Sequence, residues 1–461
     1  MSSTTTSTDI PPSLLEAGLE KKDDSMVVDW DGPEDRENPR NWSPLKRWAH
    51  VVIISILALI TNMAPTMCAP GAKDIAADLH ITSTVVSTLT ITLYVLGIAI
   101  GPMFMSPLSE MYGRVPVYHG ATIIFVAFII GNALSKTTSQ FMVFRFISGC
   151  AGGTPMALGG GTIADITSVQ QRDVAMALFS MGPLAGPVLG PVIGGFLAAG
   201  SVGLSGFLPS WAVFLAPSPC FFCGKHIPSI LTSRQVLRQV LVRPVILLVR
   251  SPILFVISLY VALVFGVMYL LFTTFTSVFE GQYGFSTSIS GLTYLGLGVV
   301  LVISMVLFNL LNGHVQAARM KAEGVHQPRP EYRLLLMIWF SPFVAGGLFL
   351  YGWTAYYKVH WIVPILGTSL MGFGTFFVIT PAQLYLIDVF GSEAAASALG
   401  ASNLLRYISS TFLPLAGPSM YSSLNYGWGN SVLGLIVLAF VPAPVLFYKY
   451  GERLRTKKTI V

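Results

Sequence analysis

Between Met181 and Leu197 the chain reads Met-Gly-Pro-Leu-Ala-Gly-Pro-Val-Leu-Gly-Pro-Val-Ile-Gly-Gly-Phe-Leu. Gly182, Gly186, Gly190 and Gly194 recur every fourth residue, and at about 3.6 residues per turn such a row stays on one helix face, bare of side chains. Pro183, Pro187 and Pro191 keep the same spacing. Each removes a backbone hydrogen bond, so in water the segment would lose roughly 3 kcal/mol per proline and would not be helical. In hydrocarbon the balance reverses: an unpaired backbone group is so costly that the segment stays helical once neighbouring helices, side chains or water satisfy the freed carbonyls. The stretch, with Gly195 adjoining it, therefore requires a bilayer and a partner helix that approaches its backbone.

Composition agrees. Hydrophobic residues make up 53% of the 461 and charged ones only 10%, against about 25% charged in a soluble chain. The formal charge of +6 averages two unlike parts, since ten of the 21 acidic residues precede Trp42. Basic residues beyond that point are scattered in short loops, which excludes nucleic acid as a partner. Cys68, Cys150, Cys220 and Cys223 have no partnering histidines, which argues against a zinc site or a disulfide framework. No nucleophile, metal or phosphate-loop constellation indicates an enzyme, and no cofactor is expected.

Residues 1–47 are polar and highly charged and are expected to be a disordered tail. A span needs about 20 apolar residues, and candidates lie at 49–68, 84–104, 116–134, 141–164, 174–198, 204–224, 252–276, 289–311, 334–353, 361–385, 395–417 and 430–448. This predicts an all-α polytopic membrane protein with six spans in 48–224 and six in 252–448. A loop at 225–251 joins them and a basic tail follows at 449–461. Lys and Arg concentrate in alternate connections, including Lys46, Arg47, Arg114, Arg172, Arg250, Arg319, Arg333 and Lys458. That set is expected to be cytosolic, with both termini, and the sparse set of Lys73, Lys136 and Lys358 outside.

The glycine and proline row resembles the fifth-helix antiporter motif of the major facilitator superfamily, and the surrounding residues resemble its fungal twelve-span drug:proton antiporter branch. That resemblance implies two six-helix halves with inverted repeats, a proton-coupled exporter of drugs or secondary metabolites, and a plasma-membrane location. Pro107-Leu108-Ser109-Glu110-Met111-Tyr112-Gly113-Arg114 resembles the superfamily's cytosolic loop signature, with Ser106 where glycine is usual. Glu110 and Arg114 could form a latch that differs between two states, and Asp165 is an alternative partner for Arg114. Arg145 resembles the arginine of the fourth-helix motif; the alternative is a residue snorkelling to the near interface. The sixth candidate carries Pro209, Pro217 and Pro219 and does not resemble the family's sixth helix. A shifted reading frame and simple divergence both account for it.

Arg406 lies midway along the eleventh candidate and should face a wet cavity. No acidic residue falls at mid-membrane, so the sequence leaves the proton site open. Coupling candidates are Arg145, Arg406, Glu280 and Asp388, with Asp165. Asn62, Tyr94, Tyr269, Phe272, Tyr385, Asn403 and Tyr407 would line the pathway, which suits an apolar, neutral or weakly cationic organic molecule. The expected partners are that small molecule, protons and lipid, in a monomer. Uptake of a nutrient or polyamine is the rival, and a non-transporting remnant is another.

Overall fold

The computed structural model describes residues 39–167, 169–200, 233–325 and 327–457. Helix α1 (Pro44–Met67) starts where Ser43 accepts a hydrogen bond from the Lys46 amide and Pro44 fixes the first turn. A short α2 (Ala72–Asp78) leads to α3 (Thr84–Tyr112), which turns at Gly113, φ 87°, into α4 (Arg114–Ala133). Only a residue without a β-carbon takes that backbone conformation freely. Next, α5 (Thr138–Gly152) and α6 (Thr154–Ile166) form one interrupted rod, and α7 (Val169–Gly200) carries the glycine row.

After α8 (Ser233–Arg250), the second group comprises α9 (Pro252–Tyr283), α10 (Thr287–Leu292) and α11 (Tyr294–Glu323). It continues with α12 (Leu334–Phe340), α13 (Pro342–Tyr356), α14 (Ile362–Phe412), α15 (Gly417–Phe440) and α16 (Pro442–Lys457). No strand occurs among the described residues.

Nine helical stretches among the described residues are long and apolar enough to cross a bilayer, ten with the bent α7. One of them, Ala394–Arg453, has 60 residues; straight, it would reach about 90 Å, three times the thickness of the hydrocarbon. It breaks at Asn425, φ 56° and ψ 178°. There the Tyr421 hydroxyl reaches the Asn430 side chain at 3.2 Å, although a straight helix would hold residues nine apart about 13 Å from each other. The chain reverses, so this stretch supplies two crossings. The 51-residue α14 is divided likewise at Gly391, φ 64°. Eleven of the twelve expected spans thus have a described helix; 204–224 lies outside the described residues.

At three boundaries the described helices add detail. Trp42 is buried and α1 begins at Pro44, so the fold starts before residue 48; residues 1–38 lie outside the described residues. The interval 225–251 is not simply a loop: over Ser233–Arg250 it is helix α8, which touches both α3 and α14 and buries Leu247. The final tail is helical to Lys457.

Because lipid is as apolar as leucine, packing here depends on close van der Waals contact rather than on removal of surface from water. The glycine device recurs where the sequence analysis did not single it out. A β-carbon on Gly97 of α3 would stand 2.7 Å from the Cys150 nitrogen of α5, and one on Gly367 or Gly374 of α14 2.6 Å from a backbone nitrogen of α13. The two halves meet where α7 packs on α10 and α11 and where α3 packs on α14.

Candidate functional site

The glycine row lies along α1. A β-carbon on Gly182 would sit 2.8 Å from the Leu59 nitrogen, and one on Gly186 2.8 Å from Asn62 Cβ. On Gly190 it would sit 2.8 Å from the Met63 carbonyl oxygen, and on Gly194 2.9 Å from the Met67 carbonyl carbon. The helix bends by 43° between Val174–Pro183 and Ala185–Ala198. Pro183, Pro187 and Pro191 lie within α7 at four-residue spacing, so each later proline frees the carbonyl of the one before it.

Gly195 is not part of that face. It meets the other half instead, its β-carbon position 2.9 Å from the Thr287 carbonyl oxygen and 3.5 Å from Gly291 Cα. Asn62 belongs to the α1–α7 contact, its amide donating to the Ala58 carbonyl at 2.7 Å, and is not a free pathway group.

The charged groups divide by end. At the basic end, Arg114 Nε pairs with Asp165 Oδ2 at 2.8 Å, and its Nη1 donates to the Leu158 carbonyl at 3.1 Å. Of the two partners considered for Arg114, Asp165 is therefore the one engaged; Glu110 is exposed in the last turn of α3. The reason is the reversal at Gly113, which directs Arg114 across Gly161 toward the end of α6. The second half repeats the pattern with Arg333 Nε to Asp388 Oδ2 at 2.7 Å. Both pairs lie within one half and are part-exposed, so each contributes at most about 1 kcal/mol.

At the opposite end the pairing crosses between halves. Lys73 of α2 pairs with Glu280 of α9, whose other oxygen accepts a hydrogen bond from the Thr287 hydroxyl at 3.1 Å. Glu280 is only 12% exposed while Lys73 is 66% exposed. Together with Gly195 and Gly291, this pair joins the two halves at that end.

Two further arginines are buried within the helices. Arg145 is 1% exposed, not snorkelling: its Nη1 donates to the Ala64 carbonyl at 3.3 Å and its guanidinium lies between the Tyr94 and Phe141 rings at 5.7 and 5.6 Å. Arg406 does not face an open wet cavity. It is 8% exposed, stacked at 4.7 Å from both the Phe265 and Tyr407 rings, and its Nη2 donates to the Tyr407 hydroxyl at 3.1 Å.

The expected pathway residues separate into two groups. Tyr269 and Phe272 of α9 join Tyr407 and Arg406 through Phe265, and half-buried Asn403 lies one turn from Tyr407 on α14. Tyr94, by contrast, is fully buried with its hydroxyl on the Thr61 carbonyl at 2.9 Å, and Tyr385 is buried beside Gly451 and Glu331 near the basic end. Phe265, Lys73 and Gly291 were not among the expected site residues. Phe265 was legible as the next ring in the series Tyr269, Phe272, Phe275 and Phe279, which keeps helical spacing.

A small cavity adjoins this ring series, lined by Met268, Phe272, Phe275, Tyr294, Thr368 and Met371 among others. Its polar lining is confined to hydroxyls, so it can hold apolar surface but cannot itself neutralise a charge.

The sequence profile of the Major Facilitator Superfamily matches residues 54–414. The chain is similar to the MFS transporter prlG of a fungal species (strain NRRL 50135), at 48% identity over 94% of this chain and 96% of that one. It is also similar to a protein of Gibberella fujikuroi called the trichosetin biosynthesis cluster MFS transporter, at 44% identity over 93% of this chain and 89% of that one. The solved D-xylose-proton symporter shares the fold, with a TM-score of 0.62 at 17% identity over 87% of this chain and 99% of that one.

Proposed function

The chain belongs to the major facilitator superfamily of membrane transporters, and from that premise we propose that it exports amphipathic organic compounds of the secondary-metabolite kind by proton-coupled alternating access. The observation that carries this reading is the unequal distribution of contacts between the two ends. Lys73–Glu280 and Gly195–Gly291 tie one half to the other at one end, whereas Arg114–Asp165 and Arg333–Asp388 each stay within a half. Such an arrangement suits one of two alternating states, since the cross-half contacts must part for the closed end to open.

The basic end is assigned to the cytosol with both termini, and the Lys73 end to the outside of the plasma membrane. Export is favoured by the biosynthesis-cluster name of the Gibberella relative. Glu280 is the leading proton-coupling candidate, because a carboxylate held by a partner only while its end is closed links protonation to conformation. Asp388, Arg145 and Arg406 remain further coupling candidates. The glycine row would give α7 and α1 a smooth contact to move with or against.

The test is reconstitution of the purified protein in proteoliposomes with a lumenal pH dye and a panel of aromatic probes, neutral, anionic and cationic. Movement of at least one probe, with a counter-directed proton flux absent from empty liposomes, is expected. Transport without proton flux would refute the coupling, and no transport of any probe or of extracted fungal metabolites would refute the export reading.

A further inference from the structure

Arg406 is more than nine-tenths buried, yet no carboxylate among the described residues pairs with it. Its Nη2 donates to the Tyr407 hydroxyl at 3.1 Å, and its Nε has no hydrogen-bond partner. Residues 201–232 cannot supply a counter-ion, because that stretch contains no Asp or Glu. A guanidinium taken out of water and left without an anion is costly; the Phe265 and Tyr407 faces at 4.7 Å offset only part of that cost. Arg145, the other buried guanidinium, adds positive charge to the bundle interior and likewise has no carboxylate partner among the described residues.

From Arg406 the aromatic surface runs on without a break. Phe265 meets Tyr269 at 5.2 Å, Tyr269 meets Phe272 at 5.5 Å, and Phe272 stacks on Tyr294 at 5.9 Å, where the small apolar cavity begins. A positive head is thus joined to an aromatic track.

We propose that Arg406 binds the acidic group of the transported compound while the Phe265, Tyr269 and Phe272 rings and the adjoining cavity receive its apolar body, so that the substrates are organic anions with an apolar frame. This deepens the export reading and rests on it. It reverses the expectation of a neutral or weakly cationic substrate, since a cation would add like charge beside the buried Arg406 guanidinium whereas an anion supplies the missing counter-charge.

Two probes with the same aromatic frame test this directly. 8-Anilinonaphthalene-1-sulfonate carries a sulfonate and N-phenyl-1-naphthylamine does not. Equilibrium binding is measured to the full chain in nanodiscs, with empty nanodiscs subtracted. Wild type should bind the sulfonate at least tenfold more tightly than the neutral compound. Arg406→Gln should abolish that ratio while leaving the neutral probe within about twofold, and Arg406→Lys should retain part of it.

A ratio unchanged in Arg406→Gln overturns the proposal. So does a wild type that binds the two probes equally well, a result available even where the variant fails to assemble. Sulfonate binding that depends on Arg406 without transport of any compound would leave the anion site at Arg406 standing and sink the export reading. Transport of both probes at equal rates, insensitive to Arg406→Gln, would do the reverse.

Discussion

Replacing Gly186 by leucine probes the α1–α7 contact in the middle of the glycine row. Even the first added carbon would stand 2.8 Å from Asn62 Cβ and 2.9 Å from the Asn62 carbonyl carbon. Unstrained carbon atoms sit about 3.5–4.0 Å apart, so α1 and α7 must part by roughly 1 Å before the rest of the side chain is placed. Backbone cannot turn aside as a flexible side chain can. Overpacking of this kind typically costs about 1–3 kcal/mol, and a contact with main chain on a long helix pair lies at the upper end of that range. The assay is thermal unfolding in detergent beside surface abundance and efflux per molecule, with Gly186→Ala as the graded step and Phe196→Leu, on the exposed face of α7, as the control. Val188 is unsuitable as a control because it packs against Gly298 of the other half. Wild-type melting temperature and efflux in both Gly186→Leu and Gly190→Leu would refute the reading of the row as a helix contact.

Charge reversal at Lys73 should weaken closure of that end and slow turnover a few-fold, a size set by a half-exposed pair worth about 1 kcal/mol or less, whereas Lys73→Arg should keep the wild-type rate. An initial efflux rate unchanged by Lys73→Glu would contradict the pairing. Arg114→Ala and Asp165→Asn should impair transport to a similar degree and non-additively, with less than about 1 kcal/mol lost in stability, while Glu110→Gln should leave both unchanged. An effect of Glu110→Gln equal to that of Asp165→Asn would reinstate Glu110 as the partner of Arg114. Pro187→Ala restores a backbone donor without filling the glycine face, so it should stiffen α7 and lower turnover more than abundance; a higher turnover would overturn that view of the bend.

The span pattern was legible because apolar runs of membrane length leave few alternatives, and the glycine row because four equal spacings admit one helix face. Where that row docks was not legible: α1 holds no matching signature, and contact with it appears only once the helices are assembled. Which of Glu110 and Asp165 holds Arg114 was not legible for a similar reason. Proximity in sequence favoured a residue four positions from Arg114, whereas the reversal at Gly113 brings Asp165, 51 positions on, within 2.8 Å. Arg406 was placed at mid-span from sequence, but its aromatic surroundings come from α9, and nothing in the neighbourhood of residue 406 names Phe265. Tyr94 and Tyr385 show the limit of a polar aromatic as a pathway marker, for both are buried in helix packing, the Tyr94 hydroxyl on the Thr61 carbonyl and the Tyr385 hydroxyl beside Gly451.

Closure at the Lys73–Glu280 end, and its release during transport, is the claim on which the export reading depends. Lys73→Cys and Gly281→Cys, the second next to Glu280 where a β-carbon meets open space, introduced together and bridged by a reducible thiol-specific cross-linker, would hold the two halves joined there while keeping the Glu280 carboxylate, with each single variant treated alike as the control. The account predicts that transport stops when the bridge forms and returns when it is reduced. Transport at the unbridged rate in fully cross-linked protein would contradict it.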